Sequence, residues 1–226
     1  MINRKDELKT MLTQRKALGT LCALLAPCCL LFGLIGYKYN LPNWYMSISA
    51  TYYANSKLFM IGLLFATSIF FFSYKGYDWK DRACSLIEAI AAIGIVIFPC
   101  ATDGIPDRVG LLCLPVKLSH TIHCVFAGTL FTTFAINILF LFTLSKGTMT
   151  KEKKIRNLIY RICGWTIVAF IILQILATTV LSKAIPSWFP MTWFVEFWML
   201  EAFAFAYIVK SEAIPKFNDK LDSIPF

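Results

Sequence analysis

The stretch LSHTIHCVFAGTLFTTFAINILFLFTL, residues 118–144, runs without a single Asp, Glu, Lys or Arg. A helix rises 1.5 Å per residue, so roughly 20 predominantly apolar residues cross the hydrocarbon core of a bilayer. Five other stretches have similar character. The spans expected from the sequence are 17–37, 58–74, 83–100, 118–144, 158–181 and 191–209. Spans 58–74 and 83–100 are short and borrow flanking residues. The expected fold class is all-α: a polytopic integral membrane bundle of six transmembrane helices. Residues 1–16 and 210–226 are read as tails flanking a membrane domain at 17–209.

Composition agrees. Of 226 residues, 58% are hydrophobic and 15% charged, against about 25% charged in an ordinary soluble domain. Mean hydropathy is +0.65. So little polar surface cannot cover a water-soluble globule. Twenty Phe and six Trp suit lipid contact and interfacial anchoring. The 17–37 segment exceeds the 7–15 residues of a signal-peptide core, so it is expected to stay as a span.

The net charge is +9. In a soluble protein that value would suggest nucleic acid. Here the charges lie in loops and tails, with no zinc-finger spacing and no long basic stripe, so nucleic acid is not an expected partner. Seventeen of the 22 Lys and Arg fall in the N-terminal tail, the 75–82 turn, the 146–161 segment and the C-terminal tail. The other five are Lys38, Lys57, Arg108, Lys117 and Lys183. By the positive-inside rule both termini are cytoplasmic, and the expected location is a cell (inner or plasma) membrane.

That orientation puts the chemistry-bearing residues on one side. The first external loop, KYNLPNWYMSISATYYANSK (38–57), is rich in Tyr and Trp and reads as an aromatic belt, or as a lid over the bundle. Ser47 and Ser49 in it, Asp103 in the second external loop and Trp193 at the start of span six are candidate ligand-binding residues. Cys100 and Cys113 bracket the second loop and form a candidate disulfide in an oxidising compartment. The chain has two histidines, His120 and His123, about 60° apart on one helical face. Glu196 lies five residues into span six, about 7–8 Å below its outer end. An ionisable group at that depth is costly unless paired or wetted.

Three readings fit this group. His120, His123 and Glu196 are candidate ligands of a divalent metal such as zinc, which would activate water against a lipid ester or amide. His123 and Glu196 alone are a candidate catalytic acid–base pair. Or the two make one interhelical hydrogen bond that fixes spans four and six. Elsewhere, Glu88 and Asn137 lie at similar depth and are expected to pair. Glu201 and Gln174 form a second candidate pair.

Several stretches together carry a resemblance. SISATYY (47–53), SYKGYDWKDR (73–82), His123 followed by Ala127 and Phe131, RNLIYRICG (156–164) and Glu196 fourteen residues before Lys210 resemble a family of small six-span bacterial membrane proteins of unknown function. The resemblance covers most of the chain and implies architecture, without an activity; it marks His123 and Glu196 more than His120. The Ser-Ile-Ser segment is similar to a short stretch of the autophagy-modulator and GPI-remodelling membrane family. The outer His and acidic residues resemble those of alkaline ceramidases, but this chain lacks their third His. The function expected is binding of a membrane lipid or small ligand at a polar outer site, in a sensing or structural role. The alternatives are a lipid-modifying hydrolase and a small transporter or channel component.

Overall fold

The computed structural model describes residues 4–76, 78–144 and 149–218; the ends of both expected tails, Tyr77 and residues 145–148 with Lys146 lie outside the described residues. Six helices dominate: α1 (Arg4–Ile35), α2 (Lys57–Ser73), α3 (Trp79–Ile97), α4 (Val116–Ile136), α5 (Lys151–Thr179) and α6 (Met191–Lys210). A two-stranded hairpin, β1 (Arg108–Val109) with β2 (Leu114–Pro115), lies between α3 and α4. Four segments are long and apolar enough to cross a membrane: Asp6–Ile35, Val116–Leu141, Lys151–Thr179 and Met191–Lys210. The chain is thus a membrane-embedded helical bundle. Helix α2 is apolar but shorter at 17 residues. Helix α3 carries Lys80, Asp81, Arg82 and Glu88 within its 19 residues.

Each helix packs on its neighbours in sequence, and α6 closes back onto α1, so the six form a ring in chain order. The α4–α5 contact is the least extensive of the neighbouring pairs. One end of the ring carries the three longer connections, 36–56, 98–115 and 180–190; we call it the loop end. The other carries the start of α1, the end of α6 and the connections from α2 to α3 and from α4 to α5; we call it the basic end.

Local chemistry explains several helix boundaries. Asp78 caps α3, its carboxylate accepting from the Lys80 and Asp81 amides. Thr150 caps α5 by accepting from the Lys153 amide at 3.1 Å. Each cap satisfies donors that a helix start otherwise leaves open. With that cap, α5 begins at Lys151, seven residues before its expected apolar start at 158. Helix α1 likewise begins at Arg4, so the described part of the expected 1–16 tail is helical and continuous with the span. Arg15 in it is only 1% exposed and donates from Nε to the Tyr74 hydroxyl at 2.8 Å.

Aromatic rings fill the middle of the ring. Phe134 of α4 stacks on Phe203 of α6 at a centroid distance of 3.5 Å. Phe71 of α2 meets both of them, and Tyr207 lies 4.4 Å from Phe203. Phe142 and Tyr160 continue the column toward the basic end. Pairs of this kind contribute about 0.5–1.5 kcal/mol each beyond burial.

One polar cluster sits beside this column. Glu88 is fully buried and Asn137 is 1% exposed. Asn137 Nδ2 donates to Glu88 Oε1 at 3.1 Å and to the Tyr207 hydroxyl at 3.2 Å. The expected Glu88–Asn137 pair therefore forms and joins α3, α4 and α6. The expected Gln174–Glu201 pair does not: Gln174 Nε2 donates to Thr192 Oγ1 at 3.1 Å instead, and Glu201 Oε1 is buried with no hydrogen-bond partner.

Asn137→Leu removes both bonds of the cluster and leaves Glu88 Oε1 without a donor. It is expected to lower stability by about 1–3 kcal/mol, read from denaturant unfolding of the purified protein in micelles. Glu88→Gln keeps an oxygen acceptor for Asn137 and should cost clearly less.

Candidate functional site

The loop end is assembled by the 36–56 connection, which folds inward. Trp44, Ile48, Ser49, Ala50 and Thr51 in it are buried. Gly33 of α1 makes room for this: a Cβ there would collide with the Trp44 ring. Asn40 fastens the start of the connection, its side chain donating to the Gly33 carbonyl at 2.8 Å and accepting from the Asn55 amide at 2.7 Å. The Trp193 amide, one of the open donors at the start of α6, donates to the Met46 carbonyl at 2.9 Å. Tyr53 donates its hydroxyl to the Cys100 carbonyl at 2.9 Å. Burial pushes the Tyr53 phenol well above its ordinary range, so it stays a donor. This connection is therefore a lid closed on the bundle, with only part of its aromatic surface outside.

Glu196 is the clasp. Its Oε2 accepts from the Ile48 amide at 2.6 Å, and its Oε1 from the Ser49 hydroxyl at 3.3 Å. These are the groups that open the short 3-10 helix Ser49–Tyr53. An oxygen acceptor there satisfies an amide that the helix start leaves open.

Beneath the lid lies a cavity of about 640 Å³, within the usual range for a small-molecule site. It is bounded by α4, α5, α6 and the 46–50 and 100–102 segments. It coincides with the thin α4–α5 seam. Small residues make the space: Ala127, Gly128 and Thr132 of α4 line it where the aromatic column has ended, and Phe131, Ile171, Ile175 and Met199 supply apolar wall.

His120, His123 and Glu196 all line this cavity, together with Ser47, Ser49 and Gln174. His123 and Glu196 do not bond to one another; each is held from outside the cavity. His123 Nδ1 lies 2.8 Å from the Phe98 carbonyl. A carbonyl only accepts, so Nδ1 carries the hydrogen and Nε2 of the neutral ring is an acceptor. His120 has the reverse arrangement. Its Nδ1 accepts from the Ala101 amide at 3.2 Å, so its Nε2 bears the hydrogen. His123 is 4% exposed, whereas His120 is exposed.

The other candidate residues lie apart. Asp103 is exposed and accepts from the Asn43 side chain, tying two loops together outside the cavity. Trp193 stacks on Phe197 at 5.2 Å, beside the cavity wall. Cys100 is buried and Cys113 exposed, and both are free thiols. Among the described residues no three His, Cys, Asp or Glu side chains stand together in metal-holding range. Gln174 and Gly128 were not expected in the site. Gln174 was legible only as a polar residue inside a span, and Gly128 carried no signal.

Glu196→Ala leaves the Ile48 amide without its acceptor. The cost of leaving that buried donor unsatisfied, about 1–3 kcal/mol, is expected to speed amide exchange at Ile48 and Ser49 about tenfold. Glu196→Gln retains one acceptor oxygen and should fall between. An unchanged exchange rate in Glu196→Ala would show that the clasp does not hold the lid.

Compared with known proteins, the chain matches no family model, no curated protein and no solved structure.

Proposed function

We propose that the chain is a six-span protein of the inner or plasma membrane, with both termini cytoplasmic, that binds a lipid or small amphiphile in the cavity under its outer lid. The role is sensing or structural. The observation that carries this reading is the cavity itself: about 640 Å³, walled by Phe131, Ile171, Ile175 and Met199, with polar groups gathered at its loop end. It lies along the weakest seam of the ring, where a ligand can enter sideways between α4 and α5. The distribution of basic residues supports the orientation, because three connections and both termini divide as the positive-inside rule requires. The resemblance to six-span bacterial proteins supports the same architecture.

The hydrolase reading has less support. Glu196 already serves the Ile48 amide and Ser49, so acid–base or metal chemistry would first have to release the lid. His123 Nε2 is the one feature that favours it. The transport reading needs a polar path through the bundle. The stacked Phe134 and Phe203 fill the interior instead.

Two experiments test the proposal. Gly128 lines the cavity, and a Cβ there would meet nothing within 4 Å. Gly128→Leu should therefore fill the space without strain: bound lipid retained in native mass spectrometry is expected to disappear while the unfolding midpoint stays put. Retained lipid in that variant would place binding elsewhere. Orientation is read in intact cells with a membrane-impermeant maleimide. Exposed Cys113 is expected to label, and Cys113→Ser to remove the signal. A cysteine introduced at Thr150 should label only after the cells are broken open.

A further inference from the structure

The polar atoms of the cavity specify more than an amphiphile. Resting on the reading above, we propose that the cavity selects an uncharged, hydroxyl-headed lipid, of the acylglycerol class, and rejects phosphate and carboxylate head groups.

The lining contains no Lys or Arg. Phosphate and carboxylate groups taken from water into an apolar pocket need cationic or multiple amide donors. The Ala101 amide is engaged by His120, and the Ile48 amide by Glu196. Two of the five loop-end cations are engaged elsewhere: Lys57 lies over the Tyr52 ring at 4.3 Å, and Arg108 donates to the Cys113 carbonyl at 3.0 Å.

What remains open in the cavity is a mixed set. His123 presents Nε2 as an acceptor, because Nδ1 is fixed on the Phe98 carbonyl. His120 carries its hydrogen on Nε2, because Nδ1 takes the Ala101 amide; Cys124 Sγ, a weak acceptor 3.7 Å from Nε2, is what a ligand oxygen would displace. Gln174 lies in the same lining with its Nε2 spent on Thr192; its Oε1 is buried without a partner and meets a ligand only when the side chain turns toward the cavity. One acceptor beside one donor is the complement of a hydroxyl, which donates once and accepts. A second hydroxyl would satisfy Gln174 Oε1. A glycerol carrying two free hydroxyls meets both needs, and its acyl chain has Phe131, Ile171, Ile175 and Met199 to lie against. Leaving a buried acceptor such as Gln174 Oε1 unpaired is what makes such a site discriminate.

The test uses the full chain in phosphatidylcholine nanodiscs and three ligands with one oleoyl chain: monoolein, oleic acid and lysophosphatidic acid. Bound ligand is counted by native mass spectrometry across a titration. Monoolein is expected to bind at least tenfold tighter than either anion. Gly128→Leu should abolish that binding. Gln174→Leu, close in size and unable to accept, should weaken monoolein tenfold or more, and His123→Gln should do likewise where it folds. Comparable or tighter binding of an anion, lost in Gly128→Leu, would overturn the head-group assignment and leave the cavity reading standing. Binding of all three that Gly128→Leu does not change, or no binding of any, would overturn both.

Discussion

Asn137 is where the ring of helices is held from within. A polar side chain inside a membrane has no water to satisfy it, so it must find a partner in the protein. Asn137 finds two, on different helices: Glu88 of α3 and Tyr207 of α6. Neighbouring helices in a ring can be held by side-by-side packing alone. Helices across the ring cannot, and α4 touches α6 only sparsely along its backbone. The Asn137 bonds and the Phe134–Phe203 stack supply that transverse connection. Directly after Asn137 the backbone of α4 widens into a π-helical turn, Asn137–Leu141, a departure that often accompanies such functional constraints on a helix. The polar bonds also set register, since sliding α3 or α6 by one residue would turn Glu88 or Tyr207 away from Asn137.

A transverse core at one depth leaves another depth free. Toward the basic end Phe142 and Tyr160 carry the aromatic column on from Tyr207, and both also line a second cavity of about 700 Å³, whose wall holds Arg15, Asp81, Lys153, Arg156 and Lys210. Toward the loop end the facing residues shrink to Ala127, Gly128, Thr132 and Thr192, and the cavity opens. The lid does not fill it. It covers the end, with the Glu196 clasp drawing Ile48 and Ser49 onto α6. The lid and its clasp bring His120, His123, Gln174 and several hydroxyl groups to the wall of that one cavity. That concentration is a consequence of packing: the same groups against a Phe-filled interior would have to bond to one another.

Much of this was legible in the sequence, and the parts that were not share a cause. Hydropathy located the apolar segments, and 191–209 falls within a residue of α6 (Met191–Lys210). The depth of Glu88 and Asn137 along their helices anticipated their pairing, because helix rise is a local property. The starts of α3 and α5 were missed by four and seven residues, although Asp78 and Thr150 are readable caps; apolarity marks the membrane part of a helix, and the cap marks its true beginning. Arg15 was read as part of a solvated tail, but the helix runs on past the apolar stretch and carries it against Tyr74. Glu196, His120 and His123 were expected near one another, and all three line the cavity at the loop end. Their partners were not legible, because Ile48, Phe98 and Ala101 contribute only backbone groups, and backbone donors and acceptors leave no mark in a sequence.

Those backbone partners decide what the site can do. Had His123 and Glu196 been bonded to each other, both would be spent and the cavity would be apolar apart from hydroxyls. Each is instead anchored on main chain behind the wall, so both ring nitrogens and the carboxyl group keep fixed positions without consuming one another. Fixed polar atoms at the edge of an apolar space are the usual arrangement of a recognition site, where a few placed groups orient a ligand that burial holds. The anchoring also couples the site to the lid. Any ligand that competes for the Glu196 oxygens loosens Ile48 and Ser49, and any ligand that bonds only to His120, His123 and Gln174 leaves the clasp closed.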